Sequence, residues 1–132
     1  MTSAKNYNFK FYTNISRAMS NYNKIMTTPR FSTLDASILC LIKSFHNSNT
    51  KFYMSNKELA EIMIADPSTI QRSIDRLIAV GLVTKEIIYA GPKPQRILIY
   101  KEDAVATLFK LHWIAQCIAH SIAQSNSIII KN

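Results

Sequence analysis

The sequence of 132 residues contains little glycine and little cysteine, and it lacks a long uninterrupted apolar run. Two glycines are too few for a turn-rich all-β fold or for a glycine-rich phosphate-binding loop. Cys40 and Cys117 lie far apart in apolar helical patterns, which argues against a disulfide framework and favours a reduced, cytoplasmic compartment. The longest apolar stretch, residues 104–123, is interrupted by lysine, glutamine and histidine, and residues 1–10 contain no apolar segment. We therefore expect neither a membrane span nor a signal peptide.

Acidic residues are also scarce. Sixteen Lys and Arg against eight Asp and Glu give a formal charge of +8. So large an excess in one small domain indicates a polyanionic partner, with nucleic acid ahead of an anionic membrane. The excess is concentrated in residues 1–57, which hold eight basic residues and one acidic residue, whereas residues 58–102 are neutral overall. Any electrostatic footprint therefore depends heavily on the N-terminal part.

The sequence lacks the motifs of the common enzyme classes. No Walker, nucleophile-elbow or metal-hydrolase motif is present, and the carboxylates are scattered. His112, Cys117 and His120 are the best metal-ligand candidates, but they have no fourth ligand nearby and no Cys-x-x-Cys pair accompanies them. We therefore expect no enzyme, no cofactor and no metal site.

The N-terminal half contains two predicted helices. Aromatic and polar residues alternate over residues 7–12, which favours a short strand or an extended arm. Apolar residues at helical spacing then predict a first helix over about 14–26. Ser32 opens a second helix, in which Asp35 can complete a capping box.

Two short helices follow. Ser55 and Glu58 have the spacing of a capping box and predict the start of a third helix. Asp66 is the expected cap of a fourth helix, with Pro67 at its first position. Gly81 stands where a left-handed residue would end that helix.

The C-terminal part is predicted as a hairpin and a long helix. Residues 82–89 and 96–100 are β-prone, and the proline-containing segment 90–95 between them reads as a rigid, basic tip. A helix is predicted over about 102–125. The apolar run 128–130 is expected to dock as a strand or across a partner.

Two helices at a tight turn, followed by a hairpin, are the order of a winged helix-turn-helix, in which the second helix enters the DNA major groove. With Ile70, Ile74 and Leu77 buried, helical spacing turns a polar face of the fourth helix outward. Arginine suits guanine edges or phosphates, glutamine suits adenine, and hydroxyls at a helix N-terminus suit a phosphate. The candidate DNA-binding residues are Lys57, Ser68, Thr69, Gln71, Arg72, Ser73, Arg76, Lys93 and Arg96.

The same region resembles a known family. SNKELA at 55–60, DPSTIQRSI at 66–74 and LIAVGLV at 77–83 are similar to bacterial and phage winged helix-turn-helix domains. Over about residues 9–100 the chain resembles the N-terminal domains of plasmid replication initiators and phage replisome organisers. The turn at 64–67 departs from the family by lacking a glycine. The resemblance implies a DNA-facing set made of Ser68, Thr69, Gln71, Arg72 and Arg76.

The final helix has more apolar residues than packing on one side requires. The surplus predicts a second buried surface, most simply the interface of a two-fold homodimer. The alternative is that this helix packs on the N-terminal helix within one chain. The predicted interface residues are Leu108, Leu111, Ile114, Ala115, Ile118 and Ile122.

The predicted fold is mostly α with a small β-hairpin wing (α+β), a winged helix-turn-helix with an extra N-terminal helix and a long C-terminal helix. Its expected parts are an arm at 1–12, the winged domain at 13–101 and a dimerisation helix and tail at 102–132. Lys10, Arg17 and Lys24 form a second candidate DNA contact because the charge excess lies there.

The function predicted from these features is sequence-specific binding of double-stranded DNA by a dimer of plasmid or phage type. The recognition helix, about 67–80, would lie in the major groove and the wing, 90–96, on the backbone. The process would be replication control, transcription regulation or DNA segregation by a partition system, with a replication or partition protein as partner. The alternative is a protein-interaction module that recruits a partner without reading DNA.

Overall fold

The computed structural model describes residues 9–26, 28, 30–89 and 91–131, with the side chains of the last helix described through residue 123. That part of the chain contains five helices and a two-stranded sheet, which confirms the predicted α+β class. The elements are α1 (Phe9–Ile25), α2 (Thr33–Asn47), α3 (Asn56–Met63), α4 (Pro67–Val80), β1 (Val83–Ile88), β2 (Gln95–Tyr100) and α5 (Glu102–Lys131).

The core is organised around α2. Ile38, Leu39 and Ile42 on this helix are at most 1% exposed. Helices α1 and α4 and strand β2 all pack against α2, whereas α5 packs mainly on α1. Burial of this apolar surface is the main force that holds α4 in place.

Helix α1 begins earlier than the sequence predicted. Residues 9–12 form its first turn, so the expected strand or extended arm is wrong for these residues, and residues 1–8 lie outside the described part of the chain. Phe11 and Ile15 are buried one helical turn apart, and the Phe11 ring lies edge-on to Phe109 at 6.0 Å and to Tyr100 at 6.4 Å. These tertiary contacts outweigh the local alternation that favoured a strand.

The helix ends mostly follow the predicted signals. The Ser32–Asp35 and Ser55–Glu58 capping boxes are both present, and Gly81 ends α4 in the left-handed conformation at φ 84°. The predicted cap at Asp66 is wrong in one respect. Asp66 occupies the N-cap position of α4, but its side chain makes no capping hydrogen bond.

The predicted hairpin is confirmed. Strands β1 and β2 pair antiparallel from Val83↔Tyr100 to Ile88↔Gln95. An isolated bridge joins Phe52 to Leu98 and ties the segment before α3 to the wing.

Helix α5 is longer than predicted. Its backbone is helical through Lys131, so the expectation of a strand over 128–130 is wrong. Among the described residues, none of the helices combines the length and the apolar character that a membrane crossing requires.

The turn between α3 and α4 uses an unusual residue. Ile64 is the C-cap of α3 at φ 53° and ψ 58°, a left-handed conformation that disfavours β-branched side chains. Its side chain is 93% exposed, so packing does not compensate for the strain. The missing glycine of this turn is therefore replaced by a strained isoleucine.

We predict that Ile64→Gly stabilises the protein by about 1 kcal/mol, because relief of left-handed strain outweighs the added freedom of the unfolded chain. Urea unfolding with an unchanged m-value measures the effect. Ile62→Gly is the control, because Ile62 is exposed inside α3 and the same substitution there should cost about 1 kcal/mol. Equal or lower stability for Ile64→Gly would contradict the assignment of strain.

Candidate nucleic-acid interface

Helices α3 and α4 pack against each other and present one side to solvent. Leu59 and Ala60 of α3 are buried, as are Ile70 and Leu77 of α4. The opposite side of α4 is polar, and its apolar side is fixed to α2 and to β1. The arrangement places a polar helical surface on a well-anchored frame.

A buried carboxylate fixes α4 to the start of α2. Asp35 is fully buried and accepts hydrogen bonds from the backbone N–H of Ser32 at 3.0 Å and from the hydroxyl of Ser73. The Arg76 guanidinium donates to both carboxylate oxygens of Asp35, with N···O distances of 2.8 Å. One carboxylate thus serves the helix cap and the ion pair.

This cluster changes the interpretation of two predicted site residues. Ser73 was expected beside the DNA-facing side, but its side chain is wholly buried and is not available to DNA. Arg76 was expected to face outward among the DNA-binding residues, whereas its guanidinium pairs with the buried carboxylate of Asp35. The hydrogen bonds to Asp35 raise the pKa of Arg76 against the opposing effect of burial.

A second polar network joins the wing to α4. Arg96 donates to the Asn56 side-chain oxygen at 2.6 Å and to the Met54 carbonyl at 2.8 Å. The Asn56 amide then donates to Gln71 at 2.6 Å, and Gln71 donates to Asp75 at 2.8 Å. Burial lowers the pKa of Arg96, which is still bound by these neutral acceptors.

The remaining predicted contacts are accessible. Arg72 is exposed, and its guanidinium donates to the Thr69 hydroxyl at 3.2 Å one turn earlier. Ser68 is exposed in the first turn of α4. Lys57, at the start of α3, and Lys93, in the wing loop, are also exposed. The structure brings these side chains to the α3–α4–wing region, whereas Arg76 and Arg96 are engaged within the protein.

The predicted second contact lies on a different element. Lys10, Arg17 and Lys24 are exposed and recur every seven residues along α1, which places them on one face of that helix. Helix α1 packs on α2 and α5. These cations therefore extend from the α1 surface rather than from a terminal arm.

The predicted dimer residues divide into two groups. Leu108 is buried within the chain, and α5 packs on α1. For this part of its apolar surface, the alternative to a dimer interface, packing on the N-terminal helix, is therefore correct. Leu111, Ile114, Ile118 and Ile122 are between 51% and 56% exposed, and Ala115 is partly buried. Four apolar side chains thus remain uncovered in one chain.

Metal ligands do not converge in the described part of the chain, where no three His, Cys, Asp or Glu side chains form a cluster. His112 instead lies within hydrogen-bond distance of Asn21, with Nδ1 2.7 Å from the amide nitrogen. This contact joins α5 to α1.

Sequence reasoning missed the partners that organise the interface. Asp35 was recognised as a capping residue but not as the partner of Arg76, 41 positions away. Asn56 was not singled out, although it links Arg96 to Gln71. Local sequence patterns give no signal for contacts made at such separations.

Comparison with known proteins agrees with this geometry. Residues 30–83 match the family model of a helix-turn-helix domain, a span that runs from before α2 to the start of β1 and covers less than half of the chain. The chain therefore contains a helix-turn-helix domain, and the hairpin that follows makes it a winged helix.

One solved structure with a detected similarity is titled crystal structure of RV1404 from Mycobacterium tuberculosis. It is 13% identical, with a TM-score of 0.47, over 83% of this chain and 69% of that chain. A search of curated proteins gave no match.

We predict that Arg76→Met destabilises the protein by about 3 kcal/mol, because it leaves the Asp35 carboxylate buried without its counter-charge. Denaturant unfolding measures the loss. Arg72→Met is the matched control, since Arg72 lies one turn earlier on the exposed side and should change stability by less than about 0.5 kcal/mol. Similar stabilities for the two variants would show that the Asp35 contact is dispensable.

Proposed function

We propose that the protein binds double-stranded DNA sequence-specifically by placing α4 in the major groove. The observation that carries this proposal is the exposed polar side of α4, held on a helix-turn-helix frame by a buried apolar side and by Asp35. An α-helix fits the width of the major groove, where each base pair presents a distinct pattern of donors and acceptors.

The side chains of α4 have distinct roles in this proposal. Arg72 contacts a guanine edge, and Gln71 pairs with an adenine after it exchanges its contacts with Asn56 and Asp75. Ser68 and Thr69, in the first turn of α4, hold a phosphate because the helix N-terminus presents unpaired N–H groups and a positive dipole end.

Flanking cations position the helix. Lys57 and Lys93 contact the DNA backbone on either side of α4, since both are exposed. Arg76 and Arg96 act from inside the protein, where they hold α4 and the wing in position. Phosphate contacts fix register, and α4 supplies the sequence discrimination.

Binding to fluorescent duplexes tests the proposal. Sites are first selected from a random duplex pool, and affinity for the selected and random duplexes is then measured by anisotropy across a salt series. The affinity for random duplex should fall steeply with salt, because phosphate neutralisation releases counterions. Arg72→Ala should lose at least about tenfold on the selected site and far less on random duplex.

Lys110→Ala is the charge-matched control for this experiment. Lys110 is exposed on α5, away from the α3–α4 unit, so its removal should leave the preference for the selected site unchanged. Salt-independent binding together with an unaffected Arg72→Ala would instead assign α4 to a protein-interaction module.

We also propose that two copies associate through α5. The exposed apolar residues of α5, Leu111, Ile114 and Ile118, line an apolar groove of about 390 Å³ together with Ile25 at the end of α1 and the following Met26. A surface of this kind is covered most simply by the same surface of a second copy, related by a two-fold axis. Such a dimer would present two recognition helices to half-sites about one DNA turn apart.

Ile118→Glu should shift the protein from dimer to monomer in sedimentation analysis, because the dimer would bury the new charge. Gln116→Glu is the control, since residue 116 lies on another side of α5 and its added charge should leave the mass unchanged. A wild-type protein that is monomeric at high concentration would contradict the proposal.

For the biological process, we propose replication control, transcription regulation or DNA segregation of plasmid or phage type. The support is the extra helix α1 ahead of the helix-turn-helix, together with the motif pattern of residues 55–83. A neighbouring gene for a helicase loader, a filament-forming nucleotidase or a divergent promoter would distinguish the three.

A further inference from the structure

A second recess lies on the other side of α5 from the exposed apolar residues. Its volume is about 540 Å³, and it is bordered by α1, α5 and one residue of α2. Its α5 wall contains His112 and also Phe109, Trp113 and Gln116, which share a face because they are four and three residues apart. Leu111 and Ile118 point to another face of the same helix, so a dimer through α5 leaves this recess open.

The recess gathers positive charge. Lys10 and Arg17 line it from α1, Lys43 lines it from α2, and none of the described residues that line it is acidic. Lys10 and Arg17 form no ion pair with a carboxylate anywhere in the described chain. The Lys43 ammonium lies 5.1 Å from the centre of the Phe11 ring at the floor. Three cations without a counter-charge favour a multiply charged anion.

The recess also contains aromatic surface. Phe109 packs edge-on against Phe11 with ring centres 6.0 Å apart, which fixes it in the floor. Trp113 is 60% exposed and lies edge-on to His112 at 5.7 Å. His112 is itself within hydrogen-bond distance of Asn21. The exposed indole of Trp113, beside the Phe109 ring that packs on Phe11, is a suitable surface for a planar ligand to stack on.

We propose that this recess binds a nucleoside phosphate, with the phosphate on Lys10, Arg17 and Lys43 and the base against Trp113. The side-chain amides of Asn14 and Gln116 also line the recess and supply donors and acceptors for the edge of a base. Its volume lies within the range of small-molecule sites, about 300 to 1,000 Å³. A duplex backbone would use the cations but not the aromatic wall, so the combination favours a small ligand over a second DNA contact.

Trp113 is the single tryptophan of the chain and reports on the recess directly. The full-length protein is titrated with adenosine and guanosine monophosphates while tryptophan emission is recorded. Saturable quenching by at least one of them is expected. Adenosine alone and inorganic phosphate alone should each bind at least about tenfold more weakly, because each uses only one half of the site.

Variants on α1 locate the binding. Arg17→Ala should weaken nucleotide binding about tenfold, since it removes one charge-assisted contact. Lys24→Ala is the matched control, because Lys24 is exposed on the same face of α1 but does not line the recess. Its affinity should equal that of the wild type. Calorimetry on Trp113→Ala provides a readout that does not depend on fluorescence and should show a comparable loss.

Three results would overturn the proposal. The first is the absence of saturable binding up to about 10 mM nucleotide. The second is equal affinity for inorganic phosphate and nucleotide, which would reduce the recess to a general anion patch. The third is an equal loss of nucleotide affinity in Arg17→Ala and Lys24→Ala, which would assign the binding to the general positive charge of α1 instead of the recess. None of these results depends on Arg72. The proposal that α4 reads DNA is therefore tested separately, by the duplex-binding experiment with Arg72→Ala.

Discussion

The position of α4 depends on the buried carboxylate of Asp35. This group completes the cap of α2, accepts from the Ser73 hydroxyl and pairs with the Arg76 guanidinium. A charge removed from water is tolerated only when its hydrogen-bonding capacity is filled, and here each of the carboxylate oxygens has partners. The same contacts join the N-terminus of α2 to the middle of α4, so the orientation of α4 is fixed by a directional interaction as well as by apolar packing.

This arrangement divides the arginines of the winged domain by role. Arg76 and Arg96 are held inside by short hydrogen bonds, and only part of their surface meets solvent. Arg72 is exposed, and its guanidinium donates to the Thr69 hydroxyl of its own helix. The segment 58–102 is neutral overall, so its electrostatic attraction for a polyanion is weak and local. The charge excess of the molecule lies on other elements, including α1.

Helix α5 shows how one element can form two different surfaces. It packs on α1, with Leu108 buried and His112 within hydrogen-bond distance of Asn21. Its 30 residues span about 45 Å, which is more than one short helix of 17 residues can cover. The side chains next to the contact line are apolar on one flank and aromatic and amide-bearing on the other. Each flank therefore has the chemistry for a different kind of partner.

Much of the fold was predictable because its signals are local. The capping boxes at Ser32 and Ser55, the left-handed Gly81 and the presence of the hairpin follow from short motifs that the structure confirms. The first turn of α1 was mispredicted because distant rings bury Phe11. The exposed members of the candidate site followed from helical spacing, whereas the burial of Ser73 depends on a residue 38 positions away. Polar contacts between residues that are far apart in the sequence produce no periodic sequence pattern from which they could be predicted.

The hydrogen-bonded chain from Arg96 through Asn56 to Gln71 has a consequence for how such a domain can be rebuilt. The wing and α4 share one asparagine, Asn56, which accepts from Arg96 of the wing and donates to Gln71 of α4. Transplanting the exposed side chains of another recognition helix onto α4 would leave that asparagine with a missing partner, and the wing would lose part of its support. The unit that can be exchanged between proteins is therefore larger than a helix face: it comprises the start of α3, α4 and the base of the wing together.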